Sequence, residues 1–90
     1  MNSKQWKVVY TKQGLKDKKR ACEAGFKSKV NSLIELVKKD PYAGYPPYEK
    51  LCGDLSGAYS RRINRQHRFI YQVYEQERTV KVISLWTHYE

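Results

Sequence analysis

From Ala58 onward the chain carries three strand patterns in a row, joined by turns too short for any crossover. Ala58 to Asn64 passes through a turn at Asn64 to Gln66 into His67 to Tyr74, and a second turn at Glu75 to Glu77 leads into Arg78 to Tyr89. Parallel neighbours need a crossover of about a dozen residues or more, whereas antiparallel ones are joined by short hairpin turns. These segments are therefore expected to form an antiparallel meander. Alternation along the middle one puts Phe69, Tyr71 and Val73 on one face and Arg68, Ile70 and Gln72 on the other. If helices cover the first face, Arg68 is left on the open one.

The first half of the chain supplies those helices. Gln5 to Thr11 (QWKVVYT) is rich in β-branched and aromatic residues and reads as a short strand. Lys12 to Ala24 favours helix by composition, but its apolar stripe is thin, with Leu15 and Cys22 on it. Gly25 breaks that pattern. Phe26, Val30, Leu33, Ile34 and Val37 then recur at the spacing of one helical face, and the second helix stops at Lys38, Lys39 and Asp40 before Pro41. Pro41 to Tyr48 (PYAGYPPY), with three prolines that restrict the chain and three tyrosines that can pack, reads as an ordered loop. The expectation is a single α+β domain over residues 1–90. Its order is β-α-α-β-β-β, with two N-terminal helices on one face of a twisted antiparallel sheet.

A chain of 90 residues builds one modest core. Its 18 Lys+Arg against 9 Asp+Glu give a formal charge of +9, which suits a polyanion, although a basic surface kept for solubility has the same composition. The cations expected at such a polyanion are Lys16, Lys18 and Lys19 on the first helix, Lys50 after the loop, and Arg61, Arg62 and Arg65 around the first meander turn. Cys22 and Cys52 form no closely spaced pair, so they read as reduced thiols of a cytoplasmic protein, with no metal site and no cofactor. No apolar run approaches the ~18 to 20 residues that span a bilayer, and MNSKQWKVVY lacks the apolar core of a signal peptide. A membrane role is not expected.

Glu49, Arg68, His88 and Tyr89 fall where a meander can bring them to one surface. Cutting RNA without a metal takes a base for the 2′-hydroxyl, a cation for the crowded phosphorane and an acid for the departing 5′-oxygen. Glu, Arg and His can fill those roles in that order. The plainer reading of the same residues is an ion-paired glutamate, a terminal histidine, and arginines that attract phosphate generally. Ser56-Gly57 makes no nucleophile elbow, and Gly53 and Gly57 make no phosphate-binding loop.

Leu55-Ser56-Gly57-Ala58-Tyr59-Ser60-Arg61-Arg62-Ile63, then His67-Arg68-Phe69-Ile70-Tyr71 and the terminal His88-Tyr89, resemble the YoeB/Txe toxins of the RelE superfamily. Pro41, Gly44, Glu49 and the two helices extend the likeness over nearly the whole chain. The resemblance implies a small microbial-ribonuclease fold and the toxin of a type II toxin–antitoxin module. It implies metal-free cleavage of mRNA in the A site of the 70S ribosome, which stops translation until an acidic antitoxin of the YefM/Axe kind binds. It also admits a homodimer.

Carried onto this chain, Glu49 matches the general base, Arg68 the transition-state arginine, His88 the general acid, Tyr89 a substrate-positioning tyrosine, and Arg62 a cation beside the scissile phosphate. There are departures. Pro46-Pro47-Tyr48 replaces a Gly-Lys-Pro run, Lys50-Leu51-Cys52 replaces a Pro-Leu-Lys run, and Glu90 follows the tyrosine. The family lysine at the Cys52 position is thus missing, with Lys50 as the candidate substitute. Two other functions suit the same scaffold: inhibition of a target without cutting, and plain RNA binding.

Overall fold

The computed structural model describes residues 5–53 and 57–88, with Thr87 and His88 described by their backbone alone. β1 (Lys7–Tyr10) leads into α1 (Lys12–Ala21), a kink at Cys22–Phe26, α2 (Lys27–Lys39), β2 (Tyr48–Lys50), β3 (Ala58–Arg62), β4 (His67–Tyr74) and β5 (Thr79–His88). The five strands form one sheet in the order β1-β5-β4-β3-β2. The α+β class and the β3-β4-β5 meander are as the sequence predicts.

Two details differ. Tyr48–Lys50, expected within or beside a loop, is a short edge strand antiparallel to β3, so the order is β-α-α-β-β-β-β. The sheet is also not wholly antiparallel, because β1 runs parallel to β5, with Lys7 opposite Thr79 and Tyr10 opposite Val82. The composition of a four-residue strand says nothing of its direction. Direction is set by the distant strand it meets.

α2 has the predicted face. Val30, Leu33, Ile34 and Val37 are buried and pack with Phe69, Tyr71, Val80, Val82 and Leu85. The kink before it turns on Gly25, whose φ of 95° a side chain would strain. At its other end the Asp40 N–H donates to Leu36 O at 2.8 Å, and the Trp6 N–H to Lys38 O at 2.7 Å. No helix of the described residues is long and apolar enough to cross a membrane.

α1 docks by other means than its sequence suggests. Leu15 is 55% exposed, while Gly14, Asp17 and Ala21 form the buried stripe. β5 carries extra residues where Arg68 pairs with Thr87, Ile70 with Ser84 and Tyr71 with Val82, and such bulges release backbone groups from the ladder. α1 takes them up. The Thr11 hydroxyl donates to Ile83 O at 2.7 Å while accepting the Gly14 N–H at 2.9 Å, and the Leu85 N–H donates to the Asp17 carboxylate at 3.2 Å. A Cβ on Gly14 would stand 2.6 Å from Val82 O, so only glycine permits this approach. Polar and small residues do the docking here, which a hydrophobic stripe cannot reveal.

Candidate active site

The register of β2, β3 and β4 builds the site. Glu49 pairs with Ser60, Ser60 with Ile70, and Arg62 with Arg68. Directly opposed residues point to the same face, so Glu49, Ser60, Arg62 and Arg68 share the face opposite Phe69 and Tyr71. They line one cleft of about 200 Å³, together with Pro46 and Pro47 from the loop and Lys29 from the first turn of α2. Glu49 and Arg62 are exposed, Ser60 is buried and Arg68 is half-buried. Three cations thus surround one carboxylate.

Arg68 is incompletely satisfied. Its Nη1 is buried and has no hydrogen-bond partner among the described residues. Leaving such a donor unpaired costs about 1–3 kcal/mol, more when charged. An anion in the cleft would remove that cost, and a phosphate oxygen is a fitting acceptor for a guanidinium.

The neighbouring Arg61 behaves in the opposite way and corrects an expectation. It is 0% exposed, on the Phe69 and Tyr71 face, and unavailable to RNA. Its Nε donates to the Tyr71 hydroxyl at 3.0 Å, its Nη2 to Pro41 O at 3.1 Å and Ala43 O at 2.9 Å, and its Nη1 to Pro46 O. Tyr71 in turn donates to Pro41 O at 2.7 Å, and the guanidinium carbon lies 4.8 Å from the centre of the Tyr48 ring. Arg61 therefore ties down the loop whose prolines wall the cleft and whose end carries Glu49. The signal was present in the sequence, since Tyr59, Arg61 and Ile63 alternate in phase with one another on a strand.

Other expected cations lie outside the cleft. Lys50 pairs with Tyr59 and lines a separate hollow with Leu51, Gly57, Ala58 and Tyr59. Arg65 is exposed in the turn after β3, where Asn64 Oδ1 accepts the N–H groups of Gln66 and His67 at 2.8 Å each. Lys16, Lys18 and Lys19 stand on α1, which packs beside β5, and Lys18 sits 5.2 Å from the centre of the Tyr10 ring. None of these lines the cleft.

The backbone of His88 pairs with His67, and that of Thr87 with Arg68, so the end of β5 runs beside the site. The His88 side chain, Tyr89 and Glu90 lie outside the described residues, as do Asp54, Leu55 and Ser56. Among the described residues, no group of three or more His, Cys, Asp and Glu could hold a metal ion. Lys29 had no distinguishing signal in the sequence, being one of several lysines on the second helix.

Solved structures place this fold in a class. The "YoeB/ParE toxin from Agrobacterium tumefaciens" is 35% identical, with a TM-score of 0.84 over 92% of this chain and 99% of that one. YoeB of the Staphylococcus aureus YoeB-YefM complex is 30% identical, with a TM-score of 0.78 over 94% of this chain and 99% of that one. The class is that of small α+β bacterial toxins. Within it, the family described as YoeB-like toxin of bacterial type II toxin-antitoxin system matches residues 10–89. Toxin YoeB of Synechocystis sp. is 39% identical over 62 residues, which is 69% of this chain and 70% of the relative. The chain belongs to the YoeB-like toxins of type II toxin–antitoxin systems.

Proposed function

We propose that this toxin is a ribosome-dependent endoribonuclease that cuts mRNA in the A site by metal-free acid–base catalysis. The carrying observation is that Glu49 shares a cleft with Arg62 and with Arg68, whose buried Nη1 has no hydrogen-bond partner among the described residues. Glu49 takes the proton of a 2′-hydroxyl, and the oxygen attacks the adjacent phosphorus. Arg68 and Arg62 hold the phosphorane as its charge grows. His88 donates a proton to the departing 5′-oxygen, which leaves a 2′,3′-cyclic phosphate and a 5′-hydroxyl. Tyr89 positions the substrate. The protein works in the cytoplasm, where the ribosomes are, and the resulting cuts stop translation.

Its charge of +9 supports an acidic antitoxin that folds over the toxin, and a relative from S. aureus is solved with YefM. Another structure is of a YoeB dimer from S. aureus, which supports a homodimer here. Primer extension on mRNA incubated with purified toxin, with and without ribosomes, tests the reading. Cuts at defined codon positions are expected only with ribosomes, and Glu49→Gln should abolish them. Growth inhibition without any cut would overturn the nuclease reading in favour of a non-cleaving inhibitor.

A further inference from the structure

We infer that Lys29 is a phosphate-binding residue of this cleft, a cation that neither Cys52 nor Lys50 supplies. The inference rests on the nuclease reading above and adds a residue to it. Position 52 holds an exposed cysteine, so that position brings no charge to the site. Lys50, the nearest substitute in sequence, shares the register and face of Tyr59 and lines a different hollow. Lys29 lies 20 or more residues away in sequence but lines the same cleft as Glu49, Ser60, Arg62 and Arg68.

The fold fixes this placement from several sides. Val30 is 0% exposed, and with Leu33, Ile34 and Val37 it sets the rotation of α2 about its axis. The Gly25 kink starts α2 afresh just ahead of Lys29, rather than letting α1 continue in its own direction. Pro46 and Pro47, held through the Arg61 bonds to Pro41, Ala43 and Pro46, line the same cleft as Lys29 and Glu49. Lys29 itself is exposed and engages no carboxylate among the described residues. An ammonium so placed is a point charge with three donors that can follow a phosphate as it changes shape.

The chemistry explains why a third cation is useful. In-line attack turns a phosphodiester with one negative charge into a phosphorane with about two. A cation at the cleft gains more from the second state than from the first, so its loss should lower the saturated rate more than the affinity. A lysine at a distant, purely electrostatic contact would show the opposite split.

The test uses mRNA on programmed ribosomes under single-turnover conditions, with Lys29→Met, Lys29→Arg and Lys27→Met compared with the intact toxin. Lys27 is an exposed lysine of the same helical turn that does not line the cleft, so it controls for total charge. Lys29→Met should lower the saturated cleavage rate about 10- to 100-fold, somewhat less than the loss of a preorganised donor. Its thermal midpoint should match that of the intact toxin, Lys29→Arg should restore most of the rate, and Lys27→Met should retain it. Cleavage by Lys29→Met at the rate of the intact toxin, an equal loss in Lys27→Met, or no rescue by arginine would each overturn the role of Lys29. Absence of cleavage by the intact toxin would instead overturn the nuclease reading, so the two failures are distinguishable.

Discussion

Replacing Arg61 tests whether the buried guanidinium is a structural clamp or an RNA contact. Its four hydrogen bonds reach three loop carbonyls and the Tyr71 hydroxyl. At about 1.5–3 kcal/mol for each bond to a charged group, the gross sum is about 6–12 kcal/mol. Taking the guanidinium out of water costs several kcal/mol in return. Removing it strands acceptors that water can satisfy only in part, so Arg61→Met should lose about 3–5 kcal/mol, against about 5–15 for a typical domain. Arg61→Lys should recover little, because a point charge cannot span acceptors arranged for a planar fork. Urea unfolding followed by the fluorescence of Trp6 and Trp86 measures this, with Arg62→Met as the comparator. Arg62 is exposed, so its loss should change stability by no more than about 0.5 kcal/mol while slowing cleavage. A loss below about 1 kcal/mol for Arg61→Met, with the urea dependence unchanged, would refute the clamp.

Further outcomes follow from other contacts. Arg68→Met should slow cleavage by about 10²- to 10³-fold yet leave the free toxin as stable or more stable, since it removes a buried donor that has no partner among the described residues; a large drop in the urea midpoint would contradict this. Gly14→Ala should destabilise by about 1–3 kcal/mol, because its Cβ would meet the Val82 carbonyl at 2.6 Å; an unchanged thermal midpoint would show that α1 can shift away. Burial, partly opposed by the Arg61 guanidinium, raises Tyr71 from 10.0 to about 12. A raised tyrosine supports the fold fully below about pH 10, and that support is lost as pH rises through about 12. Spectrophotometric titration should therefore lose a late-ionising tyrosine in Tyr71→Phe, and superimposable curves would reject the assignment.

Much of this was legible in the sequence where one residue type answers to one local rule. The α2 face showed in its spacing, the β3-β4-β5 meander in its alternation and short turns, and the Asn64 turn in its side-chain acceptor. The meander alone could bring Glu49 and Arg68 to one surface, Arg62 gained its role only from the family resemblance, and the cleft of all three depends on the register of three strands. What was hidden depends on long-range partners. Asp17 looks like a surface residue of a charged helix until β5 releases the Leu85 N–H beside it. The two adjacent arginines look equivalent until strand parity sends Arg61 inward and leaves Arg62 at the cleft. Lys29 depends on where a kinked helix begins.

The place of β5 has a consequence for how the toxin comes into being. It is the last of the described strands in sequence, yet it lies between β1 and β4 and joins them. Synthesis delivers the chain from its N-terminus, so β1 and α1 emerge long before the strand that completes their packing. Until residues 79–88 leave the ribosome, β1 has no parallel partner and α1 has neither the Ile83 carbonyl nor the Leu85 N–H to hold. The cleft between β2, β3 and β4 then lacks the strand that pairs with Arg68 on the side away from Arg62. A nascent chain of this toxin stays an incomplete sheet until residues 79–88 have emerged, so the strand made last among those described is the one that closes the site.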